Sequence, residues 1–210
     1  EVRPWSYMKF PYIKSLGKEK GWYRVGPLAR VNVCDYIDSE IAEKERQEFM
    51  ALSGGKPINA SMAYHWARMI ELVHSAEKMK ELLNDPDLQK DDLVRSGERQ
   101  DTGIAWLEAP RGTLFHHYEV DGETDQIKMA NLIVSTTSNN EPMNRVVQVV
   151  ADQHLEGKKE ITEGLLNHIE VGIRAYDPCL SCATHALGQM RLQVQLIGPD
   201  GSVKDEKLRG

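Results

Sequence analysis

Gly103–Ser135 reads GIAWLEAPRGTLFHHYEVDGETDQIKMANLIVS, and in it the period of the chain changes. Before it, apolar residues recur every three to four positions; within it, β-branched and aromatic residues gather in short runs between turn residues. Three strands are expected, Gly103–Glu108, Thr113–Val120 and Gln126–Ser135, with Asp121-Gly122 as a hairpin turn. Between the first two lies Glu108-Ala109-Pro110-Arg111-Gly112, an arginine between a rigid proline and a flexible glycine. It reads either as an exposed turn residue or as a permanent cation aimed at a pocket, suited to polarising a small ligand or steering a proton. The last strand runs into Ser135-Thr136-Thr137-Ser138-Asn139-Asn140, which is either a capped turn or a set of hydrogen-bonding groups facing a pocket.

Helices are expected on both sides of this region. One runs from Ser39, a candidate cap followed by Glu40 and Glu43, to Ser53 before Gly54-Gly55. A second runs from about Asn59 to Leu83, where Asn84-Asp85-Pro86 stops it; Met62, Trp66, Met69, Ile70, Val73, Ala76 and Leu83 keep helical spacing. His65 and His74 on this helix are not an i, i+4 pair and read as packing or surface residues. The first 35 residues are aromatic and punctuated by glycine and proline, so extended segments and turns are expected there. Further helices are expected at about Asn144–His154 and Thr162–Tyr176, the latter ended by Pro178. The tail alternates at Leu192, Val194 and Leu196 and turns at Pro199-Asp200-Gly201, the pattern of a small hairpin.

The chain has 210 residues, with 26 Lys+Arg against 32 Asp+Glu, and a net charge of −6. That balance argues against a nucleic-acid binder, which needs a basic face. No apolar run approaches the roughly 18–20 residues of a membrane helix. The first residues carry no basic-then-apolar signal pattern and no initiator Met, so the chain is expected to be cut from a longer one. Three cysteines are too few for a disulfide scaffold. Cys34 stands alone and reads as a small buried apolar residue. Cys179-x-x-Cys182-x-x-His185 places two thiols and an imidazole within seven residues, a soft donor set for zinc, copper(I), nickel or iron. A closed zinc site needs four ligands, and the sequence holds no second CxxC or CxxH.

The arginine motif, the strand-end motif and Asp177-Pro178-Cys179-x-x-Cys182-x-x-His185, in this order, resemble the catalytic large subunit of [NiFe] hydrogenases. The opening Val2-Arg3-Pro4-Trp5-Ser6-Tyr7-Met8-Lys9-Phe10, with Gly26-Pro27-Leu28-Ala29-Arg30, is most similar to the NAD-reducing multisubunit type. The resemblance implies an α+β, mainly helical large-subunit fold with small β-hairpins. Residues 1–185 would form the C-terminal half of such a subunit, and 186–210 an extension removed by a maturation endopeptidase. Cys179 would be a terminal nickel ligand, and Cys182 would bridge nickel and iron, in a Ni-Fe(CN)2(CO) centre. Arg111, Pro110 and Asp177 would form the canopy where H2 is split, with Cys179 as proton acceptor. Thr136 would hydrogen-bond a cyanide, with Ser135 beside it where the family has proline. His185 and the Leu132 carbonyl would hold Mg2+ or Fe2+.

The implied partners are a small subunit with an iron–sulfur cluster and flavin/NAD diaphorase subunits, in the cytoplasm. NAD would be reduced on a partner, since no GxGxxG follows a strand in this chain. The family's N-terminal cysteine pair is not in the chain, so the chain alone is expected to be inactive. Three other readings remain at this point: a coenzyme F420-linked or viologen-linked hydrogenase subunit, a coupling module related to the quinone-site subunit of respiratory complex I, and a zinc-stabilised non-enzymatic domain.

Overall fold

A computed structural model describes residues 2–3, 6–155, 157–179 and 192–209. The elements follow as β1 (Val2–Arg3), β2 (Ser6–Lys9), α1 (Gly17–Lys20), α2 (Pro27–Val33), α3 (Glu40–Ala51) and α4 (Ala63–Leu82). Next come β3 (Thr102–Ala109), β4 (Gly112–Val120), β5 (Ile127–Ile133), α5 (Ser135–Ser138), α6 (Asn140–His154), α7 (Glu163–Arg174), β6 (Leu192–Ile197) and β7 (Val203–Arg209). The architecture is α+β, with helices predominating and all strand pairs antiparallel. The chain divides into two compact units, Glu1–Val25 with Val134–Gly210, and Gly26–Ile133.

In the Gly26–Ile133 unit, α2 begins where Gly26, at φ +104°, hands over to Pro27 at the first helical position. Proline's fixed φ suits that position and its missing N–H is no loss there. The expectation of only extended segments and turns before residue 35 is thus corrected: α1 and α2 are helical. Helix α3 starts after Ser39 as expected, but the Ser39 hydroxyl bonds His74 Nδ1 (2.8 Å) rather than its own helix. The cap comes from α4 instead, where the two carboxylate oxygens of Glu77 accept from the N–H groups of Ile41 and Ala42, each at 3.0 Å. A carboxylate is favoured there because it meets the positive end of the helix.

The core of this unit is Leu28, Val31, Ala42, Phe49, Tyr64, Ala67 and Ile70. The spaced apolar residues of the Asn59–Leu83 segment are not all core, because Met62, just before α4, and Met69 are more than half exposed. Trp66 meets Phe49 edge-on, with ring centroids 5.4 Å apart. Small Ala67 marks the face that packs.

The sheet has the order β3-β4-β5. Ala109 pairs with Gly112, so the two-residue hairpin turn is Pro110-Arg111, followed by Gly112 at φ +131°. The turn expected at Asp121-Gly122 is instead a longer loop, closed by Asp121 N–H on the Gln126 carbonyl. The Asp121 carboxylate accepts there from the N–H groups of Glu123 and Thr124. Strand β5 ends at Ile133, and Ser135 opens α5 rather than prolonging the strand.

In the other unit, α6 and α7 approach closely at Gly172, where a Cβ would lie 2.5 Å from Val146 Cγ1. Thr162 caps α7, its hydroxyl accepting from Leu165 N–H (3.3 Å). Ile161, Leu165, Leu166 and Ile169 form the buried cluster. The β6–β7 hairpin covers it with Leu192, Val194 and Leu196, and Asp205 of β7 accepts from Ile161 N–H at 2.7 Å. The expected tail hairpin is present, with Gly198 N–H donating to the Ser202 carbonyl across its turn. Among the described residues, no helix is long and apolar enough to cross a membrane.

Two outcomes are expected. Gly172→Ala should lower stability by roughly 1–2 kcal/mol, because overpacking against a stiff β-branched neighbour outweighs the helix-propensity gain of about 1 kcal/mol. Calorimetry checks this, and an unchanged or raised Tm would show that α6 yields. Glu43 is held at about 2, below its ordinary 4.5, by Arg46 and by the Ile37 N–H. A depressed carboxyl stabilises the fold fully above its unfolded value and loses that contribution as pH falls through the folded one. Unfolding between pH 2 and 4.5 should therefore be flatter with pH in Glu43→Gln than in the parent.

Candidate functional site

Arg111 sits on the tightest turn of the sheet, and Arg30 of α2 holds that turn from behind. Arg30 Nε and Nη2 donate to the two carboxylate oxygens of Glu71 on α4, at 2.6 and 2.7 Å. Its Nη1 donates to Glu108 Oε2 (2.8 Å) and the Ala109 carbonyl (2.9 Å), and Nη2 to the Pro110 carbonyl (2.9 Å). Glu108 also accepts from Thr113 across the hairpin. Burial opposes the charge on Arg30, but the hydrogen bonds from Glu71 and Glu108 outweigh it and raise the guanidinium above its ordinary value. Gly26 backs the same turn, since a Cβ there would lie 2.8 Å from the Arg111 carbonyl oxygen.

The other unit carries a run of seven buried polar residues, Ser135 to Glu141. A buried polar group is tolerated only when hydrogen-bonded, and this run is tied to distant parts of the chain. Thr136 Oγ1 accepts from Cys179 N–H (3.2 Å). Ser138 shares a hydrogen bond with the Tyr23 hydroxyl (3.4 Å). Asn139 binds both backbone groups of one residue, accepting from Val25 N–H (3.0 Å) and donating to the Val25 carbonyl (3.3 Å). Asn140 Nδ2 donates to the Lys9 carbonyl (3.0 Å), and Glu141 accepts from Arg145 Nε (2.8 Å).

Helix α7 ends at Arg174, earlier than expected. Asp177, at φ +49°, makes the turn that delivers Pro178 and Cys179. Aspartate tolerates this left-handed conformation better than most residues, and Pro178 prevents the helix from resuming. Cys179 is half-buried. Cys34 is also half-buried, and burial pushes its thiol up, which leaves it a poor nucleophile.

The expected site residues thus fall in both units. Pro110, Arg111 and Leu132 belong to Gly26–Ile133; Ser135, Thr136, Asp177 and Cys179 belong to the other. The structure joins Thr136 to Cys179 by a hydrogen bond. Leu132 lies in β5 opposite His116. Cys182 and His185 lie outside the described residues. Among the described residues no three His, Cys, Asp or Glu side chains cluster to hold a metal. The donor chemistry still fits a thiolate-ligated centre: Cys179 is presented on a turn and its peptide is anchored, with Cys182 three residues on. Sequence reasoning missed Arg30 and Glu71, since spacing cannot join residues 30, 71 and 108–110. Its one local signal for α2 was Gly26-Pro27, a helix start.

The profile of the nickel-dependent hydrogenase family matches residues 3–185. The beta subunit of the NAD-reducing hydrogenase HoxS of Cupriavidus necator is 53% identical over 99% of this chain and 43% of its own length. An iron-sulfur subunit of the F420-non-reducing hydrogenase of Archaeoglobus profundus is 42% identical over 96% of this chain and 43% of its own. A crystal structure of an NAD+-reducing [NiFe]-hydrogenase in the H2-reduced state superposes with a TM-score of 0.82 at 54% identity, covering 88% of this chain and 40% of that one. The chain spans less than half the length of these relatives. The matched span holds the arginine turn, the buried polar run and both cysteines of the Cys179 motif, and the chain belongs to the nickel-dependent hydrogenase family.

Proposed function

We propose that this chain is the C-terminal portion of the catalytic subunit of a [NiFe] hydrogenase that splits H2 reversibly and passes electrons through partner subunits to NAD. The observation that carries the reading is the 53% identity, over nearly the whole chain, to a subunit of an NAD-reducing hydrogenase. The F420-non-reducing relative stands lower, at 42%. The partners in this reading are a small subunit with an iron–sulfur cluster, flavin/NAD diaphorase subunits and a maturation endopeptidase, all in the cytoplasm. That endopeptidase would remove 186–210; the family match, which stops at residue 185, supports this boundary.

Cys179 and Cys182 would hold a Ni-Fe(CN)2(CO) centre, and His185 with the Leu132 carbonyl would hold Mg2+ or Fe2+. The chemistry such a nickel–iron centre would supply there is polarisation of H2 and uptake of its electrons. The chain's own residues handle the proton and the field around it. The Arg111 guanidinium acts through its charge, aimed by a turn whose Ala109 and Pro110 carbonyls are bound by Arg30. Pro110 stiffens that turn, and Asp177 supplies a carboxylate beside the cysteine segment. A thiolate at Cys179 is the proton acceptor. The Thr136 oxygen accepts from Cys179 N–H, which leaves its hydroxyl proton to donate to a cyanide while its lone pair fixes the cysteine peptide. Ser135, where the family has proline, adds polarity to the same wall. Two thiolates cannot complete a four-thiolate site, so the 210-residue chain alone is inactive in this reading.

In the complete, partner-bound enzyme, Cys182→Ser should abolish nickel loading and H2-dependent NAD reduction together. Arg111→Lys should lower turnover about 100-fold with nickel retained. Loss of neither in these variants would remove the proposal. Thr136→Val should shift the infrared cyanide bands and destabilise the chain by about 1–2 kcal/mol, while Thr136→Ser should do neither. Unshifted bands in Thr136→Val would remove Thr136 from the site.

A further inference from the structure

We infer that Arg30 is a positioning residue for Arg111, acting through the backbone of the turn that carries it; the inference rests on the proposed role of Arg111. A guanidinium has five N–H donors in a rigid plane. All five are committed in this structure: two to the carboxylate of Glu71, one to Glu108, and one each to the carbonyls of Ala109 and Pro110. Of these acceptors only Glu71 lies outside the hairpin, so α4 acts as the fixed post against which Arg30 is braced.

The two bound carbonyls belong to the peptides on either side of Pro110, the second of which enters Arg111. The next carbonyl, that of Arg111 itself, lies so close to Gly26 that a Cβ there would come within 2.8 Å of it. With two successive peptide groups hydrogen-bonded to Arg30 and the third closely approached by Gly26, the direction of the Arg111 Cα–Cβ bond is constrained. Charge alone does not explain the arrangement. Glu71 would neutralise Arg30 without the turn, and a partly exposed ion pair contributes little to stability. What the planar fork adds is direction, which an ammonium with three donors cannot reproduce.

The test uses the complete, nickel-loaded enzyme with its partner subunits, in Arg30→Lys and Glu71→Gln variants and in a double variant of Arg30→Lys with Arg111→Lys. Turnover of H2 should fall about 10- to 100-fold, with the KM for H2 within about twofold and nickel content unchanged. Amide exchange in peptides spanning 108–113 should rise at least about tenfold. The double variant should be no slower than Arg111→Lys alone, since a brace has no effect once its load is gone. Parental turnover and exchange in both single variants would overturn the inference, as would a double variant that loses the product of the two single losses. Failure of both single variants to load nickel would show a role in assembly and overturn it too. Full turnover in Arg111→Lys, which leaves Arg30 untouched, would instead sink the reading of Arg111 and the inference with it.

Discussion

A run of seven polar residues buried in succession has to find hydrogen-bond partners, and that requirement organises the unit around Ser135–Glu141. Each unsatisfied group would cost about 1–3 kcal/mol, a large share of the stability of a domain this size. Four of its members meet the requirement at residues distant from the run in sequence, Asn140 at Lys9, Ser138 at Tyr23, Asn139 at Val25 and Thr136 at Cys179. The solution is strict in geometry: Asn139 pairs with the N–H and the carbonyl of Val25 through both of its polar atoms, so it can neither slide nor flip without losing both bonds. A hydrophobic wall of the same size would hold the same segments together but would not fix their register. The segment that delivers Cys179 is placed by the same device.

The other unit solves a comparable problem with charge. Arg30 is partly buried, which disfavours a cation, and two carboxylates restore the balance. Glu77 on the same long helix caps α3, so α4 fixes two neighbours by carboxylates spaced along its length. Apolar contacts at Tyr64, Ala67 and Ile70 set how closely those elements pack, and the polar contacts set their orientation.

The long elements were legible in the sequence because their signals are local. Periodicity placed α3, α4 and α7, turn residues separated β3, β4 and β5, and alternation at Leu192, Val194 and Leu196 marked the final hairpin. What was illegible depended on partners. Periodicity shows that α4 has an apolar row but not which of its members a neighbour covers, and Met69 stays more than half exposed. Asp121-Gly122 has the composition of a tight turn, yet Asp121 spends its carboxylate on Glu123 and Thr124, which opens the loop. The chain turns tightly at Pro110-Arg111 instead, where Arg30 accounts for the carbonyls. Cys179 was legible as a candidate ligand from its motif, but its hydrogen bond to Thr136, 43 residues away, was not legible in the sequence, because spacing cannot join the two.

The closing hairpin has a consequence for handling the chain in water. Leu192, Val194 and Leu196 lie against the apolar row of α6 and α7, and Asp205 holds the residue that leads into α7. Stripping residues 192–209 from an otherwise unchanged fold uncovers that row. An uncovered apolar row of this kind drives self-association. Colloidal behaviour, and not only folding stability, therefore depends on whether this last stretch is in place or the row has found another cover.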